Sequence, residues 1–169
     1  MPEQSGPVPS PGVLRVRLRF SPLLRGVLLD LIQRVDNARA AAPEEITPPS
    51  GLPDEPPDPD LQAAWADSLR ERAGFDTDAL QALAANPQFG QADLPVAPPA
   101  AEALARASVQ VRLHLRETLL RDLTTPEAQG EIDVFRLPSA EQQGYACFRL
   151  LAHLEEDLIQ QLDPGARPA

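Results

Sequence analysis

The sequence predicts a mainly α protein: one helical bundle-like domain of about five helices with a small two-stranded β ribbon. Three observations lead there. Leucine-rich stripes recur at three- and four-residue spacing in several separate segments, as amphipathic helices require. Only two short stretches, Leu14–Phe20 and Ile132–Leu137, read as strands. At 169 residues and 43 % hydrophobic, the chain can bury one modest core and has little length for a second.

Residues 1–12 carry four prolines and almost no apolar bulk, which predicts a disordered tail. The folded domain is expected over 13–163, with a short tail at 164–169. In Leu14–Phe20, apolar residues alternate with Arg15, Arg17 and Arg19, a period-2 strand pattern. Ser21 then offers an N-cap and Pro22 a first helical residue. The helix they open, Pro22 to Ala41, aligns Leu24, Leu28, Leu31 and Val35, and Leu23, Val27 and Ile32 widen the stripe. Residues 42–59 interleave prolines with acids, and missing backbone donors together with like-charge repulsion predict an extended loop.

Helix returns over Asp60–Ala73, where Leu61, Ala64, Trp65 and Leu69 share a face and Gly74 is placed to end it. That spacing makes Trp65 a core anchor first and an interface residue second. Asp76 is expected to cap a short helix, Thr77–Ala85, stopped by Asn86-Pro87. Residues 86–99 read as a loop whose Phe89, Leu94 and Val96 pack back on the core. A long helix over about Pro99 to Leu123 is apolar on two sides, the pattern of a central bundle member. Ile132–Leu137 supplies the second strand, each strand needing the other to satisfy its edge. Ser139 with Gln142 resembles a capping box and opens the last helix, which runs to Asp163-Pro164-Gly165.

Charge narrows the chemistry. All fifteen basic residues are arginine, so a lysine Schiff base and a phosphate-binding P-loop lysine are both excluded. A net charge of −10 opposes general binding to nucleic acid or anionic lipid, and three arginines on one strand without interleaved aromatics do not reverse that. No nucleic-acid partner, no membrane and no cofactor is expected. The single cysteine, Cys147, asks for no oxidising compartment, and the first residues lack a signal-peptide pattern, so a cytoplasmic address is expected.

The stretches Val111–Arg116 and Tyr145–Leu158, with the order of elements around them, resemble a family of small uncharacterised bacterial proteins, the domain of unknown function numbered 2017. The resemblance spans most of residues 13–162 and rests on helical stripes rather than a catalytic signature. The proline-rich insert departs from the family's compact pattern. It implies an all-helical fold, no established activity and a partner in cytoplasmic protein turnover, because relatives tend to be encoded beside an adaptor of the Clp protease.

Four constellations carry candidate chemistry. His114 with Glu117 and His153 with Glu156 stand three residues apart on their helices, as metal ligands can, but both pairs fall on polar faces where surface ion pairs suffice. Cys147 sits among Tyr145, Phe148, Leu150 and Leu151, an apolar setting that raises a thiol pKa and makes it inert. Ser68, Ser108 and Ser139 lie in no nucleophile-elbow context. Arg112 and Arg116, one turn apart, present two guanidinium groups that suit a carboxylate, a phosphate or a partner's acidic patch, and equally suit pairing with local acids. With Arg149 they are the candidate partner- or anion-binding residues.

Two readings of function follow. One is a non-catalytic cytoplasmic protein-interaction module, which the resemblance implies is an accessory of regulated Clp-type proteolysis. The alternative is a small helical enzyme or ligand-binding protein using a helix–helix cleft around Arg112, His114, Arg116 and Glu117. The first predicts that deleting residues 43–58 leaves the circular-dichroism spectrum intact and weakens partner capture. Unchanged capture removes the loop from that reading.

Overall fold

A computed structural model of the chain describes residues 13–41, 59–123 and 132–164. The expected terminal tail at 1–12, residues 42–58 of the loop expected over 42–59, and residues 124–131 and 165–169 lie outside the described residues, and Pro59 is the first residue of a helix rather than part of a loop. The elements in order are β1 (Leu14–Val16), α1 (Pro22–Ala41), α2 (Pro59–Ala85), β2 (Leu94–Val96), α3 (Pro98–Glu117), a 3-10 turn at Val134–Arg136, and α4 (Ser139–Leu162). The fold is mainly α, with four helices among the described residues and one small antiparallel ribbon.

α1 begins as its sequence dictates. Ser21 accepts the Leu24 amide on Oγ at 3.3 Å, and Pro22, which has no amide to satisfy, starts the helix. Leu28, Leu31, Ile32 and Val35 are buried on its inner face, whereas Leu23 stays exposed. α3 packs most extensively against α4 and next against α2. Leu104, Ala107, Val111 and Leu115 of α3 and Cys147, Leu151, Leu154 and Leu158 of α4 are all buried in this core. Ser108 is fully buried among them because its hydroxyl donates to the Leu104 carbonyl at 2.8 Å.

The ribbon corrects one expectation. β1 pairs with Leu94–Val96, in register Leu14↔Val96, Arg15↔Pro95 and Val16↔Leu94, and not with Ile132–Leu137. Leu94 and Val96 supply alternate buried residues, and Pro95 faces out. Gln161 of α4 closes the other edge: its amide accepts the Arg15 N–H at 2.8 Å and donates to the Arg15 carbonyl at 2.9 Å. With Arg15's backbone groups turned toward α4, its partner position needs no amide, so a proline fits there. Residues 132–137 carry a 3-10 turn instead. Arg136 and Leu137 donate to the carbonyls of Asp133 and Val134, while Ile132, Val134 and Leu137 pack against the core.

Helix ends account for the other differences. Gly74 does not terminate a helix, and the two predicted helices are one, α2. An αL cap needs positive φ, and among the described residues only Gly90 has it, at 86°. Continuity also moves Trp65. Gln62, Ala66, Leu69 and Ala73 are the half-buried residues of the first half of α2, in phase with buried Asp76, Leu80 and Leu83. Leu61 and Trp65 lie roughly a quarter-turn from that line at 100° per residue, and Trp65 is 52 % exposed, so it is not a core anchor. α3 stops at Glu117 rather than Leu123. The Thr118 hydroxyl takes the His114 carbonyl at 2.7 Å, the Leu120 amide reaches back to Leu115, and Leu120 and Leu123 bury from the turn that follows. The expected capping box at Ser139 does not form: Pro138 occupies the cap position, and the Gln142 amide donates to the Leu137 carbonyl at 2.7 Å.

Two glycines give opposite expectations. Nothing lies within 4 Å of a Cβ added at Gly74, which sits in a helix interior, so Gly74→Ala is expected to stabilise by about 0.5–1 kcal/mol. At Gly90 a Cβ would meet the Phe20 ring at 2.9 Å on a positive-φ backbone, so Gly90→Ala is expected to cost about 2 kcal/mol or more. Urea unfolding of the two variants against the parent protein checks both signs.

Candidate functional site

The arginines singled out by sequence have structural partners. Arg112 lies between α3 and α4, half-buried, where its Nη1 binds Glu155 Oε2. Its guanidinium stacks over the Phe148 ring at 4.8 Å from the centroid. Its Nε is buried without a hydrogen-bond partner among the described residues. Arg116, one turn on, donates from Nη1 to the carbonyls of Leu120 (3.3 Å) and Leu123 (3.1 Å), fastening the turn after α3. Arg149 is half-buried on α4 and engaged in an interaction of its own. Two of the three guanidinium groups thus hold the fold, one across the α3–α4 seam and one on a chain reversal.

The histidines keep to the outer faces that their phase predicts. His153 is exposed, with Nδ1 2.9 Å from the Arg149 carbonyl, and Glu156 is exposed one turn on. His114 is half-exposed and Glu117 exposed on α3. Among the described residues, no group of three His, Cys, Asp or Glu side chains is placed to hold a metal ion. Cys147 is fully buried, and burial pushes its thiol up to about 12. A thiol held neutral in an apolar seam is a packing residue at physiological pH.

Sequence reasoning missed a polar seam where α1, α2 and α3 meet. Asp76, which is buried, accepts two hydrogen bonds from Arg106 of α3, Nε to Oδ2 at 2.9 Å and Nη2 to Oδ1 at 2.8 Å. This bidentate pairing raises the Arg106 pKa further above its ordinary value and takes Asp76 away from the capping role expected of it. Beside it, Arg39 at the end of α1 donates from Nη1 to Thr77 Oγ1 (2.9 Å) and the Ala73 carbonyl (3.3 Å), and from Nη2 to Gln110 (3.5 Å). The Thr77 hydroxyl in turn donates a hydrogen bond to the Ala73 carbonyl at 3.0 Å. All of these partners are more than 29 residues apart except Thr77 and Ala73, so no local motif announces them. The one available signal is phase: in a continuous helix, Asp76 falls on the same side as Leu80 and Leu83.

Away from the seam, α2 turns an apolar flank to solvent. Leu61, Trp65 and Phe75 are 70 %, 52 % and 57 % exposed. On the ribbon side the arginine face is partly neutralised, because Arg19 binds Asp93 at 2.5 Å and that hydrogen bond holds the Asp93 carboxyl below the usual carboxylate range. Among the described residues no helix is long and apolar enough to cross a membrane. No protein-family model, no curated protein and no solved structure matches the chain.

The buried thiol has a measurable consequence. A raised folded pKa stabilises the fold below the ordinary thiol value near 9.0, and that contribution is lost as pH climbs from there toward about 12. Native protein at pH 8.5 is therefore expected to resist iodoacetamide for hours, while protein in guanidinium chloride is alkylated within minutes. Stoichiometric labelling of the native protein, read by intact mass, would contradict this.

Proposed function

We propose that the chain is a non-catalytic protein-interaction module whose docking surface is the exposed flank of α2. The observation that carries this reading is the line of Leu61, Trp65 and Phe75 in solvent. Only 4 % of the sequence is aromatic, and tryptophan is the side chain most enriched where protein interfaces concentrate their binding energy. The commitment of Arg112 and Arg116 to internal partners and the neutral, buried Cys147 weigh against a cleft enzyme. The resemblance of Val111–Arg116 and Tyr145–Leu158 to the family numbered 2017 supports a cytoplasmic setting beside regulated, Clp-type proteolysis. The net charge of −10 supports a protein partner over nucleic acid.

Because Trp65 takes no part in the core, Trp65→Ala is expected to leave stability within about 0.5 kcal/mol. The same change is expected to weaken capture of a purified Clp adaptor by tenfold or more. Biolayer interferometry with immobilised protein reads the second effect, and thermal melting the first. Capture of the adaptor that is indifferent to Trp65 removes the α2 flank from the reading, and absence of capture by the parent protein removes the proteolytic setting.

A further inference from the structure

The two parts of α2 on either side of Gly74 are held to the fold very unequally. Two arginines of α1 fix how it lies along α2: Arg25 donates to the Asn86 carbonyl just past the end of α2, and Arg39 donates to the Ala73 carbonyl and the Thr77 hydroxyl. α1 therefore runs antiparallel along residues 73–86. It stops at Ala41, two residues beyond Arg39, so residues 59–70 extend past its end. The C-terminal part of α2 is anchored from several sides. Asp76 is buried in its bidentate pair with Arg106, Thr77 is buried where Arg39 reaches it, and Leu80, Leu83 and Ala84 lie in the core. Residues 59–73 contain no buried residue. Of the half-buried Gln62, Ala66, Leu69 and Ala73, only Leu69 is a large apolar side chain, and the Arg39 hydrogen bond falls on the last residue of the segment.

The boundary between the two parts is marked in the backbone. A glycine is ordinarily required by a positive φ or by a close approach that excludes a Cβ. Gly74 meets neither condition: among the described residues only Gly90 has positive φ, and a Cβ at Gly74 would find nothing within 4 Å. What Gly74 does supply is backbone freedom, which makes leaving the helix easiest there. We infer that residues 59–73 are a hinged arm, which detaches and docks again as one unit about Gly74 while residues 76–85 stay in the core. The structure records its closed state. A helix of about 15 residues with one large apolar anchor is marginal in water, so the arm opens at a free energy well below that of global unfolding. Leu61 and Trp65 travel with the arm, whereas Phe75 stays at the hinge. Opening therefore breaks up the exposed flank, and a partner that spans it selects the closed arm. The hinge itself does not depend on that flank being a docking surface.

Amide hydrogen exchange of the full chain, followed residue by residue by NMR, tests the hinge. The first four amides of a helix lack intrahelical acceptors, so the comparison is between residues 64–72 and 80–85. The first group is expected to exchange roughly a hundredfold faster than the second, with the change falling as a step across residues 73–77. In 1 M urea, residues 80–85 are expected to speed up by about fivefold or more and residues 64–72 by less than about twofold, because opening the arm exposes little surface. Gly74→Ala is expected to slow residues 64–72 by about two- to fivefold, the difference in helix propensity between the two residues. Trypsin reads the same event independently, since Arg70 and Arg72 lie on the arm: native protein is expected to be cut there before Arg34 or Arg106. Protection that rises smoothly along α2 is end fraying and overturns the inference. So does exchange at 64–72 that ignores Gly74→Ala or follows 80–85 in urea, and so does cutting at Arg34 or Arg106 first.

Discussion

The packing of α3 against α4 is the constraint on which the rest of the structure depends. Four buried residues of α3 spaced at three and four, Leu104, Ala107, Val111 and Leu115, meet Cys147, Leu151, Leu154 and Leu158 of α4. With so few aromatics available, the core is built from leucine at close spacing, and alanines and the buried cysteine let the helices approach. Arg112 seals the rim of this seam by stacking on Phe148 and binding Glu155. Gln161, near the end of α4, then fixes where β1 lies by occupying the backbone of Arg15. Gly144, at the start of α4, leaves room for the turn after α3, where a Cβ would stand 3.2 Å from Leu119. β1 and the turn after α3 are thus both placed by contacts with α4.

Much of this was legible in the chain because it is written locally. Ser21-Pro22 sets the start of α1 through an unsatisfied amide and a missing one, and no distant residue can alter that. The stripes of α1 and α4 likewise identify their inner faces, and Phe89, Leu94 and Val96 pack inward as their apolar character suggests. What could not be read locally was competition. By spacing only Ile132–Leu137 reads as a partner for Leu14–Phe20, but it forms a 3-10 turn in which Arg136 and Leu137 donate locally, and Leu94–Val96, which reads as loop, pairs with Leu14–Val16 instead. The reading that a strand there needs a partner was sound; the partner was a segment only three residues long, split by a proline.

The break expected at Gly74 failed for a related reason. A glycine and an aspartate two residues apart look like a stop and a restart. The alternative, an uninterrupted helix, becomes favourable only when Asp76 has Arg106 to bind and the Ala73 carbonyl has Arg39 and Thr77. Arg106 and Arg39 come from α3 and α1 and are invisible to spacing within α2, whereas Thr77 lies one turn from Ala73 in α2 itself. The same error displaced Trp65, since the face it occupies depends on the phase carried through Gly74. The candidate arginines were found for the right chemical reason, two guanidinium groups one turn apart, and their destinations were internal carbonyls and Glu155.

The continuity of α2 leaves an energetic question that points outward. Its C-terminal half contributes Leu80, Leu83 and Ala84 to the core, whereas residues 59–75 bury nothing fully. A 17-residue segment is marginal as a free helix in water, and Gly74 costs it about another 1 kcal/mol relative to alanine. Inside the protein this half is tethered by half-buried Gln62, Ala66, Leu69 and Ala73, by the Arg39 contacts and by a surface pair, Arg70 with Asp67 at 2.5 Å. Exposed pairs of that kind contribute little. The same stretch carries Leu61, Trp65 and Phe75 in water, so ordering it through the core alone recovers little of the free energy those side chains offer. Covering the flank adds burial at residues already held in helical phase, so association spends little further conformational entropy. The segment least supported by the core is therefore the one with the most to gain from a partner.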